Sequence, residues 1–313
     1  MELMNVDNKY LQRVLPGITE THLKTTVLKL GFIGGGSFGK VFKAELSDGN
    51  AVAIKAFREK GAHREEAEQL EILAKHTSVK MPEVLFVYED EKVAVMGMSF
   101  IEGSNTLNPA FFFKSRKQKQ AFARAVIQGM LEWHSITGEK FGDLKNPVYN
   151  TWAEYYRREK QEPILKGLAD LSEKGKFSRR KLEILTEATE IFNIIYEETA
   201  DPVLIHGDLN IMNIMADPKT MKLTGFIDPK GTIWADREYD LFQLLNMWGN
   251  SFGLYETYKK AYPLSEYADF KVAYYGALHE ASMRLGGGLI MPLWEDLDIN
   301  RLKKEMKKLQ RLL

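Results

Sequence analysis

Two aspartates and an asparagine in the second half of the chain could together carry out phosphoryl transfer. Asp208 and Asn213 lie in the run HGDLNIMN at positions 206–213, and Asp228 follows further along. A carboxylate can orient a hydroxyl group and receive its proton, while carboxylate and amide oxygens are ligands that Mg²⁺ accepts. Because phosphoryl transfer depends chiefly on positioning the nucleophile and on holding metal-bridged phosphates, these residues supply its minimum chemistry.

Short apolar runs precede both parts of this set. Residues 202–205 (PVLI) are typical of a short buried strand, and residues 222–227 (KLTGFI) predict a second strand that ends at Asp228. A solvated turn is the alternative interpretation of the Asp–Asn run. Carboxylates at the ends of strands are rigidly placed, and loops on such scaffolds often carry function, which favours the functional interpretation.

A glycine-rich run far upstream, GGGSFGKV at positions 34–41, fits the pattern G-x-G-x-x-G-x-V. In a dinucleotide-binding fold these glycines would open a helix. In a P-loop a Ser or Thr would follow Gly39-Lys40, and Val41 stands there instead.

The residues around the glycines favour a third interpretation. Runs 41–46 and 51–55 predict two strands, and the SDGN sequence at 47–50 predicts the turn between them. The glycines would then cap a hairpin, where backbone amides can approach phosphate oxygens closely. The candidate phosphate-binding residues are Gly34, Gly36, Ser37, Phe38 and Gly39.

Lys55 ends the strand VAIK and needs an anionic partner, because a lysine is rarely buried alone. The helix predicted over 63–75 offers four glutamates: Glu65, Glu66, Glu68 and Glu71. Leu70 and Leu73 mark its inward face, and Glu66 lies on that face. We therefore expect Glu66 to pair with Lys55.

Taken together, these motifs resemble the protein-kinase-like superfamily. Gly207 and the sequence IDP at 227–229 resemble its small-molecule branch, which includes aminoglycoside phosphotransferases, choline kinases and fructosamine kinases. The resemblance extends from about residue 31 to residue 240. It implies a bilobal α+β fold, with an antiparallel-sheet N-lobe carrying one helix in residues 1–103 and a mainly helical C-lobe in residues 104–313.

The same resemblance implies roles for individual residues. Asp208 is the implied catalytic carboxylate, and Asn213 and Asp228 are the implied Mg²⁺ ligands. Lys55 contacts the phosphates of ATP, with GTP as an alternative, and Glu66 orients Lys55. The implied adenine-binding hinge consists of Ser99, Phe100 and Ile101.

The chain also departs from protein kinases. Gly207 replaces the arginine that pairs with a phosphorylated activation loop, and the sequence DPKG at 228–231 replaces D-F-G. Few residues separate Asp228 from Asp240, so we expect neither an activation loop nor a groove for a protein substrate. Asp240 is expected to cap a helix or brace the catalytic loop, and His206 to serve as scaffold.

Length and composition agree with a two-lobed enzyme. The chain has 313 residues, of which 44% are hydrophobic, and its formal net charge is zero. Neutrality disfavours nucleic acid as a partner, and the absence of cysteine excludes disulfides and thiolate metal sites. No apolar run long enough for a bilayer and no signal pattern are found, so a cytoplasmic location without membrane association is expected.

Residues that interrupt regular structure predict where further helices begin and end. A leading helix is expected over 7–15, ended by Pro16-Gly17. After the lobe boundary at 102–105, apolar residues at helical spacing predict a long helix whose stripe is core: Phe122, Val126, Met130 and Trp133.

The sequence gives less information about the acceptor substrate than about the nucleotide and metal sites. Residues 294–298 (WEDLD) place three carboxylates beside a tryptophan, which could receive a cationic substrate or could simply begin a helix. An aminoglycoside-like, possibly amine-bearing acceptor is expected, with fructosamine, sugar or choline-type acceptors as alternatives. A nucleotide-binding protein without turnover and a protein kinase are the rival classes.

Overall fold

A computed structural model describes residues 3–36, 38–196, 201–286 and 291–310. Its strands are β1 (Val27–Gly35), β2 (Gly39–Leu46), β3 (Ala51–Phe57), β4 (Val84–Glu89), β5 (Ala94–Ser99), β6 (Ser104–Asn105), β7 (Gly142–Asp143), β8 (Val203–Leu204), β9 (Ile214–Ala216), β10 (Leu223–Phe226) and β11 (Ile233–Ala235).

The helices are α1 (Asn8–Leu23), α2 (Ala62–Ala74), α3 (Pro109–Phe112), α4 (Arg116–His134), α5 (Trp152–Tyr156), α6 (Glu162–Glu173), α7 (Arg179–Ile195), α8 (Arg237–Asp240), α9 (Leu254–Ala261), α10 (Ala268–Ser282) and α11 (Pro292–Leu309). A π-helical turn (Arg157–Gln161) joins α5 to α6, and a largely 3₁₀ stretch (Leu241–Phe252) follows α8.

The chain forms two compact units. The first comprises Met1–Asn105 and Asn213–Lys230, and the second comprises Thr106–Met212 and Gly231–Leu313. The sequence analysis assigns Asn213–Lys230 to the second lobe, but β9 in this segment pairs with β6, and Phe226 N–H donates to the Lys80 carbonyl at 3.0 Å. These contacts place the segment with the first unit.

An antiparallel sheet of order β1-β2-β3-β5-β4 dominates the first unit. Nearly every residue of β3 is buried. In the sheet, Lys55 lies between Val41 on β2 and Met96 on β5. The central strand therefore fixes the direction of the Lys55 side chain.

The leading helix is longer than its sequence indicates. The predicted end at Pro16 is wrong, because α1 continues through Pro16 to Leu23. A proline inside a helix costs about 3 kcal/mol. Burial of Leu11 and Leu15 in the core of the sheet offsets this cost.

The second unit is mainly helical, and the predicted α+β class is confirmed. The stripe predicted on α4 is core, with Phe122, Val126, Met130 and Trp133 all buried. Three short strands form a second small sheet of order β7-β11-β8, which leads into residues 205–208. Among the described residues, no helix combines the length and the apolarity needed to cross a bilayer.

Candidate active site

Lys55 is held between two carboxylates of the first unit. Its Nζ donates to Glu66 Oε2 at 2.6 Å and also to Asp228 Oδ1. Of the four glutamates on α2 that the sequence offers, Glu66 is the one that forms the ion pair with Lys55. Residues that are widely separated in the sequence thus meet around one ammonium group.

Electrostatics keep this ammonium charged. Burial alone would lower the pKa of Lys55, but the negative charges of Asp228 and Glu66 outweigh that effect and raise its pKa above the ordinary value. The Lys55 side chain is only 8% exposed, so the two carboxylates replace most of its hydration. A cation fixed in this way is suited to bind phosphate oxygens.

Asn213 and Asp228 approach one another in the same unit. Ile227 N–H, beside Asp228, donates to the Asn213 carbonyl at 3.0 Å, and Asn213 is buried. Asp228 follows β10 with a left-handed φ of 57°, an uncommon conformation for a residue other than glycine. The backbone is thus turned sharply where the carboxylate is presented.

The donor set of Asn213 and Asp228 fits Mg²⁺. Both side chains offer oxygen, which this ion prefers, and Mg²⁺ is usually bound by one or two carboxylates together with phosphates and water. No cluster of three or more His, Cys, Asp or Glu residues suited to a metal occurs in the part of the chain that the structure describes. With Asn213 and Asp228 as protein ligands, phosphate and water would supply the remaining coordination positions.

The hairpin predicted over residues 41–55 is formed by β2 and β3, and the glycine-rich run before it joins β1 to β2. Gly36 N–H donates to the Gly39 carbonyl at 3.0 Å, which closes the turn. Gly39 packs so tightly on β3 that a Cβ atom there would lie 2.3 Å from the Ala56 carbonyl oxygen. Phe38 lies under the Lys230 ammonium, and the predicted site residue Ser37 lies outside the described residues.

The predicted hinge follows β5. Ser99 exchanges two hydrogen bonds with Glu83: its N–H donates to the Glu83 carbonyl at 2.8 Å, and its Oγ accepts from Glu83 N–H at 2.9 Å. Ile101 is buried, and the Phe100 ring lies beneath the Lys43 ammonium at 4.1 Å. The backbone N–H of Ser99 therefore already has a hydrogen-bond partner beside the sheet.

Asp208 belongs to the second unit, in a loop braced by Asp240. The Asp240 carboxylate accepts the backbone N–H groups of His206 at 3.2 Å and Gly207 at 2.9 Å. The Gly207 carbonyl accepts from Gln243 Nε2 at 3.2 Å. Gly207 has a φ of +80°, which glycine adopts without strain and other residues rarely do.

A buried histidine contacts the Asp240 carboxylate and supports it. His134, the last residue of α4, contacts Asp240 Oδ2 through Nε2 at 3.3 Å and the Tyr258 hydroxyl through Nδ1 at 2.7 Å. Burial lowers the pKa of His134, which favours the neutral ring. Because a carboxylate can only accept, Nε2 donates to Asp240 and Nδ1 accepts from Tyr258.

The Asp208 side chain lines a cavity of about 160 Å³ within the second unit. Asn210 Nδ2 donates to Asp208 Oδ1 at 2.8 Å, so one carboxylate oxygen has a local partner. The other lining residues are Asn210, Met212, Gln243, Asn246, Met247, His279, Glu280, Met283, Met291 and Trp294. The arrangement places a potential proton acceptor at the wall of a pocket.

The acidic run at 294–298 is divided by the fold. Trp294 lines the cavity, whereas the Glu295 carboxylate is buried and paired with Lys181 and Arg284. Asp298 is buried and paired with Arg301. These two carboxylates therefore have internal cations, and their contacts are structural.

Glu280 is one of several cavity residues that the sequence motifs do not indicate. It lies on α10, which is buried on nearly all sides and has no apolar stripe to distinguish one face from another. A glutamate in so apolar a helix was the available signal, since acidic residues are rarely buried without a partner.

Comparison with known proteins agrees with this geometry. A sequence model of the APH phosphotransferase enzyme family matches residues 29–280. The chain belongs to this family. The resemblance to small-molecule kinases of the protein-kinase-like superfamily is thereby confirmed, as is the prediction of an enzyme that transfers phosphoryl groups to hydroxyls.

The chain is also similar to three individual proteins. YcbJ, an uncharacterized protein of Escherichia coli (strain K12), is 25% identical over 204 residues, which cover 64% of this chain and 68% of YcbJ. A candidate fructosamine-3-kinase from Thermobifida fusca YX-ER1 has a similar structure, with a TM-score of 0.68, 17% identity and coverage of 94% and 98% of the two chains.

A thermostable mutant of the aminoglycoside phosphotransferase APH(4)-Ia, solved with AMP-PNP and hygromycin B, also gives a TM-score of 0.68. It is 14% identical, with coverage of 94% of this chain and 98% of that one. At such identities the structural likeness shows the fold.

Proposed function

We propose that this phosphotransferase transfers the γ-phosphoryl group of ATP to a hydroxyl of a small, amine-bearing molecule. The observation that carries the proposal is the position of Asp208, which lines a cavity while Asp240 fixes the backbone just before it. Fructosamine, sugar and choline-type acceptors belong to the same proposal.

The first unit supplies the residues for the nucleotide. Lys55, oriented by Glu66, binds phosphate oxygens, and the hairpin glycines Gly34, Gly36 and Gly39 allow the backbone to approach them closely. Because Ser99 N–H is bonded to Glu83, adenine recognition falls to the backbone of Phe100 and Ile101. GTP is the alternative nucleotide.

Asn213 and Asp228 would hold Mg²⁺, which neutralises charge that develops on the phosphates. Lys55 contacts Asp228 in the structure and can turn to the phosphates while it keeps its contact with Glu66.

The second unit supplies the acceptor pocket and the proton acceptor. Asp208 orients the acceptor hydroxyl and takes its proton as the oxygen attacks phosphorus. Asn210 holds one oxygen of the Asp208 carboxylate and leaves the other available to the hydroxyl.

The test is ADP formation with a panel of aminoglycosides, amino sugars, fructosamines and amino alcohols, with mass spectrometry to identify the phosphorylated product. At least one acceptor should give ADP and product in equal amounts, and EDTA should abolish both. Asp208→Ala should lower kcat by about 10²–10⁴-fold while ATP binding persists. Near-normal turnover of Asp208→Ala would contradict the assignment.

A further inference from the structure

Apolar atoms form most of the wall of the cavity beside Asp208. Four methionines and one tryptophan contribute to its wall: Met212, Met247, Met283, Met291 and Trp294. Methionine side chains adapt to irregular apolar shapes, and sulfur makes favourable contacts with aromatic rings. Trp248 supports the wall by packing edge-on against Trp294, with ring centroids 4.6 Å apart. These five side chains offer dispersion contacts, whereas the six polar lining residues offer hydrogen bonds.

Glu280 joins Asp208 as the second carboxylate among the described residues that line the cavity. Among the described residues, its side chain makes no hydrogen bond and no ion pair, although it is half-buried. Burial, together with the negative charges of Asp298 and Glu295, raises the pKa of Glu280 to about 7. Such a group is stabilised by an incoming cation.

The neighbouring carboxylates do not share this property. Glu295 is bound by Lys181 and Arg284, and Asp298 is bound by Arg301. The negative charges of Glu295 and Asp298 are therefore neutralised by cations of the protein itself. A cation that enters the cavity therefore meets Glu280 beside Asp208, and Asp208 is already assigned to the acceptor hydroxyl.

The space directly surrounded by these walls is close in size to one ring, and the cavity is open to solvent on another side. Its space of about 160 Å³ is close to that of a cavity of roughly 150 Å³ that holds one benzene ring. A polyamino sugar brings several ammonium groups, whereas Asp208 and Glu280 are the two acidic side chains among the described lining residues, and Asp208 is assigned to the acceptor hydroxyl. One charge and one ring-sized apolar body match the walls better.

We infer that the acceptor is an amino alcohol with one basic nitrogen on a ring-sized apolar body, with its nitrogen paired to Glu280 and its body packed on the methionines and Trp294. This inference rests on the proposed function. The acceptor oxygen bonds to the γ-phosphorus as the bond from phosphorus to the β–γ bridging oxygen breaks. Asp208 takes the hydroxyl proton, and ADP leaves with the electron pair of the broken bond.

Binding without ATP tests the inference separately from turnover. The full chain is titrated calorimetrically with 2-amino-1-phenylethanol, with its uncharged counterpart 1-phenylethanol, and with kanamycin. The amine should bind most tightly. Glu280→Gln should weaken amine binding by about 10- to 100-fold, as expected for loss of a charge-assisted contact, and leave 1-phenylethanol unchanged. Trp294→Ala should weaken both aromatic probes.

Glu183→Gln is the matched control, because Glu183 lies on α7 with its side chain 64% exposed. It should bind every probe as the natural protein does. Thermal melting of Glu280→Gln at pH 8 shows whether the variant folds, and no loss of stability is expected because the fold disfavours the ionised carboxyl.

The outcomes separate this inference from the proposed function. Equal amine binding by Glu280→Gln and the natural protein, tighter binding of kanamycin, or no amine binding at millimolar concentration would overturn the inference. If the acceptor screen then finds a turned-over sugar, the phosphotransferase proposal stands alone. If the amine binds through Glu280 but no acceptor consumes ATP, the binding inference stands and the proposed reaction fails.

Discussion

The carboxylate of Asp240 accepts the backbone N–H of Gly207 at 2.9 Å, directly before Asp208 in the chain. The same carboxylate accepts from His206 N–H and from the His134 ring. One buried side chain thus fixes the peptide units that lead into the proposed proton acceptor.

Asp240→Asn should lower kcat at least tenfold and leave the KM for ATP within about twofold, because the two backbone N–H groups bond different carboxylate oxygens and an amide has only one oxygen. The free energy of unfolding should fall by about 2 kcal/mol, as for hydrogen bonds to a charged group. Steady-state kinetics and urea denaturation provide the two measurements. Asp269→Asn, at a half-exposed acid of the same unit, should leave kcat unchanged. Wild-type kcat in Asp240→Asn would show that the brace does not position Asp208.

Two glycines of the hairpin should respond differently to alanine. Gly39→Ala forces a Cβ atom against the Ala56 carbonyl oxygen, so β2 and β3 must separate locally, with an expected cost of about 1–3 kcal/mol. Gly34→Ala meets nothing within 4 Å and should change stability by less than about 0.5 kcal/mol. Urea denaturation and ATP titration of both variants test this contrast. Equal stability of the two would contradict the packing described for Gly39.

Lys55→Met should destabilise the first unit by about 3 kcal/mol, because it leaves Glu66 largely buried without its cation. Adding Glu66→Gln should recover much of that loss, since the buried charge is then removed as well. A double-mutant cycle by chemical denaturation measures the coupling. Additive effects of the two substitutions would mean that the ion pair contributes little. Neither variant should retain normal ATP affinity.

Amine binding should strengthen as the pH rises from 6 to 8. Glu280 becomes ionised through about pH 7, while an alkyl amine, with a pKa near that of lysine at about 10.4, stays protonated. The affinity of Glu280→Gln should remain flat over this range. The cavity also contains His279 and Asp208, with Asp298 and Glu295 behind it, so His279→Gln serves as a control that should retain the pH dependence.

Folding stability gives a second measure of the same carboxyl group. The fold raises the pKa of Glu280 from 4.5 to about 7, so the folded state binds the proton more tightly than the unfolded state. Relative to Glu280→Gln, the natural protein should therefore lose stability as the pH rises from about 4.5 to about 7. A parallel pH dependence in both proteins would contradict the shift.

Local patterns predict much of the site. The runs on either side of the SDGN turn identify β2 and β3, helix phase selects Glu66 as the partner of Lys55, and the end of β10 presents Asp228. Each of these depends on a few adjacent residues or on one helical face, which sequence periodicity reports directly.

Long-range pairing accounts for what the sequence does not predict. α1 continues past Pro16 because its tertiary packing outweighs the local cost. Lys181 is distant in sequence from Glu295 and Arg284 lies 11 residues before it, so the run at 294–298 resembles a free acidic patch until the fold brings its cations to it. Glu280 lies on a helix without amphipathic contrast, where periodicity cannot indicate a cavity.

The assignment of Asn213–Lys230 to the first unit means that neither unit is a continuous stretch of chain. A fragment ended at Asn105 would lose β9, the partner strand of β6, and would leave Lys55 without Asp228. Dividing the gene at that position should therefore not yield a separately folding nucleotide domain. A compact minimal version would require residues 213–230 to be grafted back through a new linker, which makes this segment a natural site for split-protein complementation.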